Sequence, residues 1–168
     1  MNMLIEESGM FFKVEADCVF CMENCEFVSS LNGYKKVEFV HLIDSSSTLR
    51  FVEAKTSVEN KEKQIGSIVE KFKQSFEIVH ALIIRHGGYN LPKSFSLLDL
   101  SNVNVSFCLV VKNIGNDGKV QVHNSIESKL SSFCKCWNIK TKDVKVFDEK
   151  KHKRKVLSSK KKMCLCKM

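Results

Sequence analysis

Two hydrophobic periods alternate along this chain and divide it into strands and helices. Met10 to about Phe20 is apolar and β-prone, and Cys25 to Val28 continues or returns it. Asn32-Gly33 marks a turn. Lys36–Asp44 and Thr48–Thr56, rich in Val, Ile and Phe, predict the two arms of a β-hairpin. The period then changes. Ile65, Ile68, Val69, Phe72, Phe76, Val79 and Leu82 recur at spacings of three and four, predicting a long amphipathic helix that opens in the charged stretch Glu59–Lys63 and stops at Gly87-Gly88. Leu91–Asn102 reads as a loop with a short turn around Phe95–Leu98. Val103–Lys112 is almost continuously apolar and reads as a buried central strand. Asn116-Asp117-Gly118 predicts a further turn. Ile126, Leu130, Phe133 and Trp137 trace a second helix, and Val144–Phe147 alternates as a short final strand.

The expected fold is therefore α/β: a mixed central sheet built from a β-meander, a long helix, a buried strand, a second helix and a short last strand. Residues 1–149 form one domain in this reading, and 150–168 form a flexible basic tail.

The hairpin carries the chemistry. Residues two apart on a strand share a face, so Glu53 and Lys55 point the same way. Glu38 falls in line with Val40, Leu42 and Asp44 on the other arm. A two-residue turn at Ser45-Ser46 pairs Asp44 with Ser47 and sets Glu38 across from Glu53. A slip of one whole pair sets it across from Lys55. Both registers gather two carboxylates and one ammonium on one face. Such a group suits a hard divalent cation, since Mg²⁺ takes oxygen ligands and commonly only one or two carboxylates.

Charge and cysteine content narrow the reading. The 168 residues hold 27 Lys and Arg against 19 Asp and Glu, a net charge of +8. A basic balance favours polyanionic partners such as nucleic acid. Much of the excess lies in 150–168, which has no acid, so the rest of the chain is close to neutral. No segment is long and apolar enough to span a bilayer, and the acidic start lacks a signal-peptide core, so a cytoplasmic location is the default. Eight cysteines in a reducing compartment read mainly as small buried hydrophobes. Cys18-x-x-Cys21-x-x-x-Cys25 is the zinc alternative.

A hairpin bearing an acid and then Glu-x-Lys, followed by a long helix and a buried strand, resembles the PD-(D/E)XK nuclease superfamily, the restriction-endonuclease-like fold, over roughly Val37–Val111. The resemblance implies metal-assisted phosphodiester hydrolysis, with Glu38 and Glu53 holding Mg²⁺ or Mn²⁺ and Lys55 orienting the attacking water or the phosphate. It also implies an upstream acid, for which Glu6 or Glu7 is the early candidate. The chain departs from the pattern in two places. Glu38 stands where Asp is usual and Val37 where Pro is. The first thirty-odd residues look strand-like, not helical.

Ser57, further along the Glu53–Lys55 face, is a phosphate-binding candidate, and Gln64 on the helix is a weaker one. Lys153, Arg154 and Lys155 in the tail are candidate nucleic-acid contacts. His41 falls on the opposite face from Glu38 and reads as core or helix-facing, while Trp137 reads as core. The competing function on the same fold is a non-catalytic nucleic-acid-binding or assembly module, in which Glu38, Glu53 and Lys55 are an ordinary cross-strand ion-pair cluster. A homodimer through the long helix or through Leu91–Asn102 is the assembly considered.

Overall fold

The structure is a computed structural model; it describes residues 2–43, 47–59, 62–85, 91–139 and 143–149. Seven strands and four helices follow one another along the described chain. They are β1 (Asn2–Glu7), β2 (Met10–Glu15), β3 (Val19–Cys21), α1 (Glu26–Ser30), β4 (Phe39–Ile43), β5 (Thr48–Lys55), α2 (Glu62–Ile84), α3 (Lys93–Ser96), β6 (Asn104–Val111), α4 (Asn116–Cys136) and β7 (Val144–Asp148). Strands β3-β4-β5-β6-β7 lie side by side in that order in a mixed five-stranded sheet. The β3–β4 and β4–β5 pairs are antiparallel, and β5–β6 and β6–β7 are parallel. A parallel neighbour cannot be reached by a tight turn, and α2 and α4 supply the two long crossovers.

Alternation assigns each side chain to a layer. Leu49 and Phe51 of β5 join Val105, Phe107 and Leu109 of β6 in one core beneath α2 and α4. Val52, Ala54, Cys108 and Val110 point the other way, into a second core with Ile5, Met10 and Phe12 of the β1–β2 hairpin. The sheet is thus covered by helices on one face and by a two-stranded ribbon on the other. Strand β6, fourth of five, is covered on both faces, which is why its apolar run is nearly unbroken. Among the described residues no helix is long and apolar enough to cross a membrane.

Three expectations are corrected. The apolar stretch from Met10 breaks at a 3-10 turn, Ala16–Cys18, so its two halves belong to different sheets. Alternate burial of Met10, Phe12 and Val14 gives way there to three consecutive buried residues, Cys18 to Phe20. Cys25–Val28 is no strand: buried Met22, Cys25 and Val28 are three apart, a helical spacing, and α1 forms there. Asn116-Asp117-Gly118 is the first turn of α4. Polar residues and an acid are what a helix N-terminus accepts, so the same tripeptide serves either role. Strand β1 was not expected. It pairs with β2 through Ser8-Gly9, whose positive φ values of 52° and 67° are those of a two-residue hairpin turn.

Gly87-Gly88, Ser45-Ser46 and the whole of 150–168, with Lys153, Arg154 and Lys155, lie outside the described residues.

Candidate active site

The hairpin register from Ile43↔Thr48 to Phe39↔Val52 is the one a two-residue turn demands. One further step would set Glu38 across from Glu53, but the ladder ends at Phe39. The Glu38 N–H instead donates to the Val52 carbonyl at 3.1 Å, so Glu38 is held beside Val52–Glu53 by a bond outside the regular rungs. Helix α2 fixes the approach to it. Ser75, buried on that helix, accepts the Val37 N–H at 2.8 Å, and Gln74 accepts the Lys35 N–H at 2.6 Å.

Glu53 is wholly buried in the central strand. Burying a carboxylate is expensive unless opposite charge and hydrogen bonds compensate it. Two ammonium groups do so. Lys55 Nζ lies 2.8 Å from Glu53 Oε1, and Lys71 Nζ of α2 lies 2.8 Å from Oε1 and 3.0 Å from Oε2. The Oε2 contact is a directed hydrogen bond, whereas Oε1 receives charge from both lysines without a well-aligned bond from either. Lys71 Nζ also stands 3.7 Å from Glu38 Oε1. Exposure rises outward, from Glu53 at 0 % through Glu38 at 12 % and Lys71 at 23 % to Lys55 at 32 %.

A third acid joins this group. The tip of the β1–β2 hairpin docks at the carboxyl end of β5 and β6, with Ser8 Oγ donating to the Ala54 carbonyl at 3.1 Å and Lys112 Nζ donating to the Gly9 carbonyl at 3.3 Å. Glu7, next to that tip, shares a side-chain hydrogen bond with Glu38. Glu38 is pushed up to about 7, first by burial and then by the charge of Glu53; Lys71 pulls it down, Glu7 adds to the rise, and Lys55 opposes it. Glu7 is raised by burial and by Glu23, against its bond to Glu38. Burial by itself would lower Lys71, but its bond to Glu53 and the charges of Glu53 and Glu38 outweigh that and hold it above the ordinary lysine value.

Glu38, Glu53, Lys55 and Glu7 therefore come together, and Lys71 is the member that sequence reasoning missed. Its position was readable: Lys71 lies three residues after Ile68 and four before Ser75, inside the buried stripe of α2. Ser57 does not join them. It lies exposed beyond the end of β5, and Gln64 ties that segment to the helix, donating to the Ser57 carbonyl at 3.5 Å and accepting the Glu59 N–H at 3.0 Å. Since Glu38's neighbours Val37 and Val40 pack in the helix-side core, His41, three along, shares the ribbon side with Phe39. Trp137, expected in the core, is instead 39 % exposed and packs edge-on against Phe76 from the rim, 5.0 Å between ring centres.

The donor set suits a hard cation: carboxylate oxygens, one of them buried without a directed bond. Among the described residues no three acids, histidines or cysteines are grouped ready to hold a metal ion. Cys18, Cys21 and Cys25 are accordingly not gathered as a zinc set. No family model, curated protein or solved structure matches the chain.

Proposed function

We propose that this protein hydrolyses phosphodiester bonds in nucleic acid with Mg²⁺ or Mn²⁺, at a PD-(D/E)XK-like site on a restriction-endonuclease-like scaffold. The observation that carries the reading is the convergence of Glu38 and Glu53 on one ammonium, at 3.7 and 2.8 Å, with Lys55 2.8 Å from Glu53. The order of elements supports the scaffold: an antiparallel meander, a long helix, then a parallel buried strand. So does the location. In open α/β sheets ligands bind beyond the carboxyl ends of the parallel strands, and Glu53, Lys55 and Lys112 lie at that edge of β5 and β6.

Glu38 and Glu53 would hold the cation, which when bound polarises the scissile phosphate and stabilises the leaving oxyanion. Lys55, a third exposed and anchored by Glu53, holds the attacking water or a phosphate oxygen and steadies its charge. The fully buried Glu53 is itself a fixed strut, so Lys55 is aimed without reorganisation. The net charge of +8 supports a polyanionic substrate.

The test is incubation of the full chain with plasmid, linear single strands and RNA, in Mn²⁺ or in chelator, beside Lys55→Ala. We expect metal-dependent cleavage that falls roughly 100-fold or more in the variant while its circular dichroism spectrum shows it still folded. Absence of cleavage together with no thermal stabilisation by Mn²⁺ overturns the reading. That result would favour the non-catalytic module, to which the closed Glu53–Lys71 pair lends support.

A further inference from the structure

We propose that Lys71 is a built-in counter-cation for the acidic pair: its ammonium holds the position between Glu53 and Glu38 that a divalent cation takes, so that metal entry requires Lys71 to leave. This rests on the metal-site reading above.

A lysine on a helix normally lays its stem over apolar surface and carries its charge to water. Lys71 does the opposite. From a position inside the buried stripe of α2, between Ile68 and Ser75, it directs its ammonium to both oxygens of a wholly buried carboxylate and toward a second carboxylate. Lys55 reaches Glu53 from the strand, and Lys71 reaches both acids from the helix. An ammonium and a metal ion need the same oxygen lone pairs, so the two occupants exclude each other. Lys71 keeps the acids compatible with burial before metal arrives, and for the same reason it weakens metal binding. The four-carbon stem and an exposure of 23 % leave it room to swing outward without unwinding the helix.

Two measurements test this on the full chain. In the first, Mn²⁺ is titrated calorimetrically into the wild type and Lys71→Met at one pH and ionic strength, and both are melted in chelator. The variant should bind Mn²⁺ roughly tenfold or more tightly, while melting several degrees lower without metal. Unchanged or weaker binding in the variant overturns the inference and leaves the metal site standing. Failure of both proteins to bind Mn²⁺ overturns the metal site and the inference with it. The second measurement needs no variant. Acylation of wild-type lysines, read by mass spectrometry, should find Lys71 protected in chelator and labelled in Mg²⁺, with exposed Lys63 unchanged. Equal labelling of Lys71 in saturating Mg²⁺ and in chelator overturns the inference.

Discussion

The two ends of the β5–α2 pair are built from the same two elements and could hardly differ more. Toward the amino end of β5, Leu49 and Phe51 face Phe76, Val79 and His80 of α2, and with Trp137 they line a cavity of about 290 Å³. Aromatic rings meet there at ordinary packing distances, 5.9 Å for Phe51–Phe76 and 4.7 Å for His80–Trp137. At the carboxyl end the same strand presents Glu53 and Lys55, and the same helix presents Lys71. Burial of rings stabilises the fold in proportion to the area removed from water. Burial of charge stabilises little even when well paired, and apolar residues of similar volume would serve at least as well. The amino end explains why the molecule folds. The carboxyl end is best explained by what its charges do.

The comparison is most easily broken at the apolar end. Phe107 on β6 is fully buried and packs against Phe51, Phe72 and Phe133. Phe107→Ala should lower the free energy of unfolding by about 3–5 kcal/mol, measured by urea denaturation. A loss below about 1 kcal/mol would mean that this aromatic cluster is not where stability resides.

Ser75 sharpens the contrast because it stands between the two ends. Its hydroxyl accepts the buried Val37 N–H, one residue before Glu38. Ser75→Ala leaves that donor unsatisfied and should cost about 1–3 kcal/mol. It should also shrink the thermal stabilisation given by Mn²⁺, because Glu38 loses the anchor beside it. Val79→Ala, a cavity change at the apolar end, should lower stability and leave the Mn²⁺ increment intact. If the two variants respond alike to Mn²⁺, Ser75 belongs to the core alone.

The two ends also differed in how far the sequence revealed them. The helix stripe and the strand alternation were legible because each apolar residue there obeys one period. The hairpin register followed from a two-residue turn. Glu53 and Lys55 were legible from their spacing on one strand, and Glu38 from its arm, although its departure from the ladder was not. Lys71 escaped because a stripe is recognised by its apolar members, and a charged residue within it reads as an interruption. Glu7 could be named only as an early acid. Its placement depends on the Ser8-Gly9 turn and on where that turn docks, at Ala54 and Lys112, a contact between segments far apart in the chain. Non-local contacts of this kind leave no periodic trace. The Ser-Gly dipeptide was nonetheless a usable turn signal.

The smallest expected effect separates the two ends by pH. Glu38 is held at about 7, first by burial and then by the neighbouring Glu53 charge, and Glu7 is raised as well. A carboxyl raised in the folded state binds its proton more tightly there than in the unfolded chain. Its contribution is therefore present at low pH and is lost as pH climbs from the ordinary carboxylate range through about 7. Glu62 and Asp99 are shifted downward by hydrogen bonds to Lys129 and to Ser101, and Lys71 upward from the lysine range, so all three act outside that window. Between pH 6 and pH 8 in chelator, stability should fall by about 1 kcal/mol, a drop of a few degrees in melting temperature. Saturating Mn²⁺ should flatten the fall, since a bound cation replaces the proton at Glu38. Glu38→Gln should flatten it in chelator, whereas Val79→Ala should keep the full slope at a lower melting temperature. A slope that persists in Glu38→Gln would move the titrating group away from Glu38.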